Sequence, residues 1–434
     1  MDAVLRAERA LIGGEIRSAA VSVADGVITA IGPVDADVKA LDDIRLASSE
    51  VLLPGFVDTH VHVNAPGTDW EGFASATAAA AAGGITTLVD MPLDSDPVTT
   101  TAAALQVKRA AAQGNCRVNV EFWGGIVPSN VDALDELAAA GVRGFKCFLA
   151  ESGNPNFPHL SPAEFAAAAV HVARLGAVLL VHAEHHDVIT HSPSPVGRGY
   201  TSFLASRPDE AEQEAVALVV RTARETGAVM HVVHVSSAQV LPEIAAAKLA
   251  GVPVTAETCP HYLTFAAETI PDGGTEFAAC PPIRGQANRR LLWEKLRDGT
   301  LDMVVSDHSP CAPELKAGGD FGRAFGGISS LQIGPSAVWT EALLHGFGLT
   351  DLSRWMAERP AELAGFTDRG RIEVGMRADL CAFDPDADLT VRADTLAHRH
   401  AVTPYQGITL RGVVRQTWLA GRNVFDHEQV RQPA

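Results

Sequence analysis

Leu53-Pro54-Gly55-Phe56-Val57-Asp58-Thr59-His60-Val61-His62 is an apolar run that closes on two histidines one residue apart. In an extended strand, residues i and i+2 lie on one side, so His60 and His62 leave a buried strand on the same face. Two imidazoles held that way are half of a metal site. From this run onward the chain repeats apolar strand, polar loop and Ala-rich amphipathic helix. Strands are expected at 53–63, 86–91, 117–123, 142–149, 177–182, 229–235, 252–258 and 301–306, and helices at 70–82, 100–113, 129–140, 161–175, 209–226, 238–250, 286–297 and 330–345. Eight strand-then-helix units of parallel type are what an α/β fold of the closed (β/α)8 barrel kind requires.

Outside that stretch the rhythm changes. Residues 1–52 are short apolar runs punctuated by Gly13-Gly14, Asp25-Gly26 and Gly32-Pro33, a pattern of short antiparallel strands, and the same pattern returns at 369–434. Each end is too small to bury much by itself. The expected organisation is therefore a barrel over 53–368 and one small β-sandwich built from both chain termini, 1–52 and 369–434.

The formal charge of −18 argues against nucleic acid and anionic membrane as partners, since a phosphate surface selects basic patches. No uninterrupted apolar run of 18 residues and no basic-then-apolar start is present, so no membrane association and a cytoplasmic location are expected. The six cysteines are scattered without a C-x-x-C pair, which argues against a disulfide framework or a zinc ribbon.

In a barrel the chemistry sits at the carboxyl ends of the strands. Strand one ends in His60 and His62, strand four carries Lys146 among apolar neighbours, strand five ends at His182, strand six at His234 and strand eight at Ser306-Asp307-His308. A lone strand-end histidine is usually a satisfied core residue, and His231 is expected to be one. A buried ammonium is costly unless paired or neutralised, so Lys146 demands an explanation. Four histidines and an aspartate exceed what one tetrahedral ion takes, so two divalent ions are the natural count. Two such ions need a bridging group and together can activate one water. A lysine carrying CO2 as a carbamate is an anionic, two-oxygen bridge, and the modification removes the buried positive charge.

These residues resemble the binuclear cyclic amidohydrolases: dihydroorotases, hydantoinases and allantoinases. The resemblance spans nearly the whole chain. Within the group the allantoinases are the nearest pattern, carried by Asp69-Trp70-Glu71-Gly72-Phe73, Asp90-Met91-Pro92-Leu93, Gly144-Phe145-Lys146-Cys147-Phe148-Leu149, Glu257-Thr258-Cys259-Pro260-His261-Tyr262-Leu263, Pro281-Pro282-Ile283-Arg284 and Ser306-Asp307-His308-Ser309-Pro310-Cys311. Hydantoinases usually carry a tyrosine where this chain has Glu151, and dihydroorotases an arginine where it has Asn64.

The resemblance implies that His60, His62 and Asp307 hold one zinc or other divalent ion and His182 and His234 the second, with N6-carboxylated Lys146 bridging and Asp307 as general base. It implies hydrolysis of the ring amide of allantoin to allantoate, a small cyclic ureide substrate, and a homotetramer. Asn64, Ser152, Cys280 and Ser309 are expected substrate contacts, and His261 is expected close behind the ligands. One departure stands out: the usual Glu-Pro-Gly-Arg-Thr after the asparagine reads Ala65-Pro66-Gly67-Thr68-Asp69 here. The competing activity is that of a hydantoinase or dihydropyrimidinase on other cyclic ureides. A non-catalytic scaffold would have lost ligands, and all six are present. The Gly-rich loop over 312–327 is expected to lie over the barrel mouth.

Overall fold

The computed structural model describes residues 1–316 and 318–431. Eight parallel strand positions form the barrel: Phe56–Val61, Ile85–Asp90, Asn119–Phe122 continuing in Gly124–Gly125, Phe145–Phe148, Val178–His182, Val229–Val232, Val254–Thr258 and Met303–Val304. The ring closes between its ends, where Val61 pairs with His308 in parallel and the His62 N–H donates to the His308 carbonyl at 2.8 Å. Most of these strand residues are fully buried, as expected of strands packed on helices outside and on each other's side chains inside.

The helices lie where the apolar periodicity places them. Pro162–Leu175 shows why its bounds are sharp. Ser161 and Glu164 form a reciprocal capping box at its start, proline occupies its first turn, and Gly176 ends it in the left-handed conformation. Among the described residues no helix is long and apolar enough to cross a membrane.

The two chain ends meet in one eight-stranded sheet. Its main path runs Arg422–Asp426, Thr409–Leu419, Leu380–Thr390, Val51–Pro54, Ala3–Ile12, Glu15–Ala24 and Val27–Gly32, with Asp42–Arg45 pairing on Ala3–Ile12. Leu5, Val21, Val23, Leu52, Leu380 and Trp418 are among the residues of a core of its own. The fold is a (β/α)8 barrel with a terminal β-sandwich domain. Residues 432–434, assigned to the second half of that domain, lie outside the described residues, as does Ala317 of the Gly-rich loop.

One expected strand, 53–63, is two strands. Val51–Pro54 belongs to the terminal sheet, where Leu53 faces Cys381 and Leu52 faces Ala382, and only Phe56–Val61 belongs to the barrel. The chain crosses between the two layers at Gly55, whose N–H donates to the Asp379 carbonyl at 2.8 Å. A Cβ there would stand 2.3 Å from Thr86 Oγ1, so only glycine fits the crossing. Both halves are apolar because both are buried, and hydropathy alone does not separate them.

Candidate active site

Alternation on the first barrel strand turns Asp58 and His60 inward, and His62 follows just beyond its end. Each has a distinct setting. Asp58 is fully buried and accepts the Ser306 N–H at 3.1 Å and the His60 N–H at 3.1 Å, tying strand one to strand eight; burial pushes its carboxyl up to about 7. His60 Nε2 lies 3.2 Å and His62 Nε2 3.5 Å from the same oxygen of Asp307. One ligand atom from each of these three residues falls within 4.8 Å of the others. Across the cavity, His182 Nδ1 and His234 Nε2 face one another at 2.9 Å.

The carboxylates behind the imidazoles fix which nitrogen carries the proton. Glu257 Oε1 contacts His60 Nδ1 at 2.5 Å, and its other oxygen meets His231 Nε2 at 2.9 Å; His231 in turn meets Thr255 Oγ1 at 2.7 Å. Burial opposes ionisation of Glu257, but His60 and His231 outweigh it and hold the carboxyl at about 2. With its Nδ1 proton committed to Glu257, a neutral His60 presents the Nε2 lone pair toward the Asp307 carboxylate. Two electron-rich atoms facing at that distance repel unless a cation lies between them. On the other wall Glu184 contacts His182 Nε2 at 2.7 Å and pairs with Arg207, so the lone pair of His182 sits on Nδ1, toward His234. Burial would raise Glu184, yet Arg207 and His182 bring it to about 2.

Burial lowers the pKa of His60, His182 and His234, which favours the neutral, metal-ligating form. Burial would raise Asp307 as well, but His60, His62 and His234 around it hold it well below the carboxylate range. The Nδ1 atoms of His62 and His234 are buried with no hydrogen-bond partner. His234 and Asp307 also sit at positive φ, 39° and 44°, a backbone cost for residues with a Cβ that recurs at functional sites. Neutral imidazoles, one carboxylate and unpartnered buried nitrogens are a donor set that divalent ions fit.

Lys146 is 1% exposed on the fourth strand, and burial brings its amine down to about 8. Its Nζ lies 4.9 Å over the Phe148 ring, and among the described residues it makes no hydrogen bond or ion pair. His60, His62, Lys146, His182, His234 and Asp307 all line one cavity of about 550 Å³.

Of the expected substrate contacts, Ser152, Cys280 and Ser309 line the same cavity, and Asn64 does not. Asn64 is 2% exposed, has φ 57°, and donates from its side-chain amide to the Pro310 carbonyl at 3.0 Å, bracing the loops after strands one and eight. Residues 65–69 are likewise absent from the cavity wall, so the departure at Ala65-Pro66-Gly67-Thr68-Asp69 lies in a loop beside the site. Ser309 Oγ donates to Asp307 Oδ1 at 3.2 Å. His261 is buried beside Asp307 and Cys259, and burial lowers it to about 4. From the Gly-rich loop Phe321, Gly322, Ala324, Phe325 and Gly326 reach the cavity, and Phe325 meets the Trp70 ring edge-on at 4.9 Å. A Cβ on Gly326 would stand 2.4 Å from Cys280 Sγ, so glycine lets this loop close on the wall.

Glu257, Glu184, Arg207 and Asp58 carry no role in the sequence reading. The signal for Glu257 is a carboxylate on a barrel strand, Val254–Thr258, with no other charged residue, which needs a partner for the same reason that Lys146 does.

Comparison with known proteins gives the same outline. Residues 51–424 match the model of the Amidohydrolase family. The chain is 50% identical over 434 residues to an allantoinase of Streptomyces avermitilis, covering 100% of this chain and 97% of that one. It is 41% identical over 436 residues to an allantoinase of Rubrobacter xylanophilus, covering 99% and 95%. Among solved structures it is similar to the L-hydantoinase (dihydropyrimidinase) of Arthrobacter aurescens, with a TM-score of 0.92, 29% identity and coverage of 98% and 96%.

Proposed function

The chain belongs to the amidohydrolase family, and from that premise we propose a working account of its reaction. It is a hydrolase of cyclic amides that opens the ring of allantoin to give allantoate. The observation that carries the account is the His60 Nε2 lone pair set 3.2 Å from the Asp307 carboxylate, with His62, His182, His234 and the buried, unpaired Lys146 lining the same cavity.

We assign His60, His62 and Asp307 to one divalent ion, His182 and His234 to a second, and Lys146 as its carbamate to both. Zinc suits this imidazole and carboxylate set. Ions held there supply Lewis acidity, which acidifies water and polarises a carbonyl. Lys146 acquires its carbamate when its ammonium gives up one proton, the neutral Nζ bonds to the carbon of CO2 and a second proton leaves Nζ, both protons going to solvent, so that a buried cation is exchanged for an anion. Asp307 takes the proton of the attacking water and returns it to the ring nitrogen as the C–N bond breaks, the base-then-acid role. Glu257 and Glu184 hold His60 and His182 in the required tautomers. Ser152, Cys280 and Ser309 face the substrate. We propose further that the chain assembles as a homotetramer in the cytoplasm, which light scattering of the purified chain and cell fractionation would check.

A substrate panel tests the reading. Brisk opening of allantoin with little turnover of 5-substituted hydantoins or dihydropyrimidines is expected. No opening of allantoin alongside brisk opening of hydantoins would assign the chain to the other activity, toward which the hydantoinase-like fold points.

A further inference from the structure

Asp307 has φ 44°, a conformation that is costly for any residue with a Cβ and that persists where the surroundings over-determine it. Both of its chain neighbours are pinned. The Ser306 N–H donates to Asp58 at 3.1 Å. His308 is engaged at every polar atom: its N–H donates to Ser306 Oγ at 3.1 Å, its carbonyl accepts the His62 N–H at 2.8 Å, and its Nδ1 accepts the Leu331 N–H at 3.4 Å. With Nδ1 an acceptor, the ring proton lies on Nε2, which faces Glu71 Oε2 at 3.3 Å.

The side chains of Glu71 and His308 are fully buried, and neither residue lines the cavity. The second oxygen of Glu71 serves the terminal domain. Oε1 accepts the Arg399 N–H at 3.1 Å, and Arg399 Nη1 donates to the Glu71 carbonyl at 3.2 Å. Arg399 lies in the excursion between strands Leu380–Thr390 and Thr409–Leu419 of the terminal sheet. That excursion is tied to the barrel on both sides of Arg399. His400 Nε2 is 2.9 Å from the Asp69 carbonyl, the Ala397 N–H donates to Gln332 Oε1 at 2.8 Å, and Thr403 Oγ1 donates to the Ser329 carbonyl at 3.3 Å. One buried carboxylate thus joins the loop after strand one, the segment after strand eight and the terminal domain, and it does so on the residue next to Asp307.

We propose that Glu71 is a positioning residue for Asp307: through His308 it holds the base in its left-handed conformation, and the terminal domain in turn holds Glu71. The inference rests on the reading of Asp307 as general base. A base must stand within hydrogen-bond reach of the proton it takes, and a displacement of about 1 Å costs up to about 10²-fold in rate. Because Glu71 does not touch the cavity, its loss should be felt in kcat rather than in KM, and equally for every ring that the enzyme opens.

Steady-state kinetics of the isosteric Glu71→Gln variant, expressed per metal-loaded folded chain, tests this. kcat should fall about tenfold with KM within about twofold of wild type, and by the same factor on allantoin and on a 5-substituted hydantoin. Zn2+ retention in a chelator competition should weaken as well, since Asp307 is also assigned as a ligand. Glu71→Gln/His308→Gln should be no slower than His308→Gln alone, because the two residues form one link. Glu71→Asp, which keeps the charge but shortens the reach, should show the same split between kcat and KM and serves if Glu71→Gln does not fold. An unchanged kcat or unchanged Zn2+ retention, at whatever melting temperature, would reduce Glu71 to a staple between domains and overturn the proposal, as would a double variant in which the two losses multiply. Asp307→Asn separates two kinds of failure. Full turnover there would overturn the base and this proposal with it, whereas turnover lost there but kept in Glu71→Gln would overturn the proposal alone.

Discussion

Two lysines are buried to the same degree in this barrel, and their surroundings could hardly differ more. Lys108 and Lys146 are each 1% exposed. Lys108 reaches from its helix to Asp90 Oδ2 at 2.7 Å and donates to the Met91 carbonyl at 2.8 Å, while Asp90 Oδ1 accepts the Val63 N–H at 2.8 Å. That ion pair secures the chain just after strands one and two. Among the described residues the Lys146 amine has no ion-pair or hydrogen-bond partner; it lies over the Phe148 ring, and the carboxylates of Asp307 and Glu257 are engaged by histidines. A buried ammonium needs a partner or a change of charge. Lys108 has the first, and the proposed carbamate would give Lys146 the second. Burial alone therefore does not mark a functional lysine; Lys146 is set apart from Lys108 and from the buried Lys316, whose Nζ donates to the Ala278 carbonyl at 3.0 Å, by having neither a counter-charge nor an acceptor among the described residues.

Four predictions test that contrast, the largest effect first. Lys146→Ala should lower kcat/KM for allantoin by on the order of 10³-fold, about 4 kcal/mol, with its melting temperature kept or raised, as read by steady-state kinetics and calorimetry. Wild-type activity and metal content in that variant, with no short carboxylic acid added to replace the carbamate, would remove the bridge from the account. Lys108→Met should do the reverse. It should leave turnover per folded molecule near wild type and cost roughly 3–5 kcal/mol of stability, because Asp90 is left buried and uncompensated; adding Asp90→Asn should recover most of the loss in denaturant titrations.

Glu257→Gln should weaken metal retention about 10- to 100-fold in a chelator competition. A glutamine cannot serve as anionic acceptor for both His60 and His231, and a variant that kept wild-type metal affinity would reduce Glu257 to packing. The smallest effect concerns pH. Glu184 titrates at about 2 in the folded chain, below its ordinary value of 4.5. It therefore contributes stability that is fully present above pH 4.5 and is lost as pH falls from there toward 2. Denaturant midpoints measured between pH 5 and 3 should fall less steeply in Glu184→Gln than in wild type.

Much of the site could be read from the sequence because a strand writes its inward face at every second residue. His60 and His62 are that pattern, and Lys146 stands out against Phe145, Cys147 and Phe148. The helix bounds at 161–175 were equally legible from Ser161, Pro162, Glu164 and Gly176. What could not be read depends on three-dimensional pairing. Lys108 lies in an amphipathic helix where a surface position is the natural reading, and only Asp90, 18 residues earlier, explains its burial. The crossing at Gly55 is hidden because the strands on both sides are apolar for different reasons. Asn64 donates its side-chain amide to the Pro310 carbonyl, a contact between loops 246 residues apart that nothing near Asn64 in the sequence announces.

The central claim is that Lys146 works as a carbamate between two bound ions, and reconstitution tests it most directly. Enzyme stripped of metal and CO2 by a chelator at low pH, then returned to neutral buffer with Zn2+, should regain allantoin hydrolysis only when bicarbonate is supplied. Full recovery with Zn2+ in CO2-free buffer would contradict it.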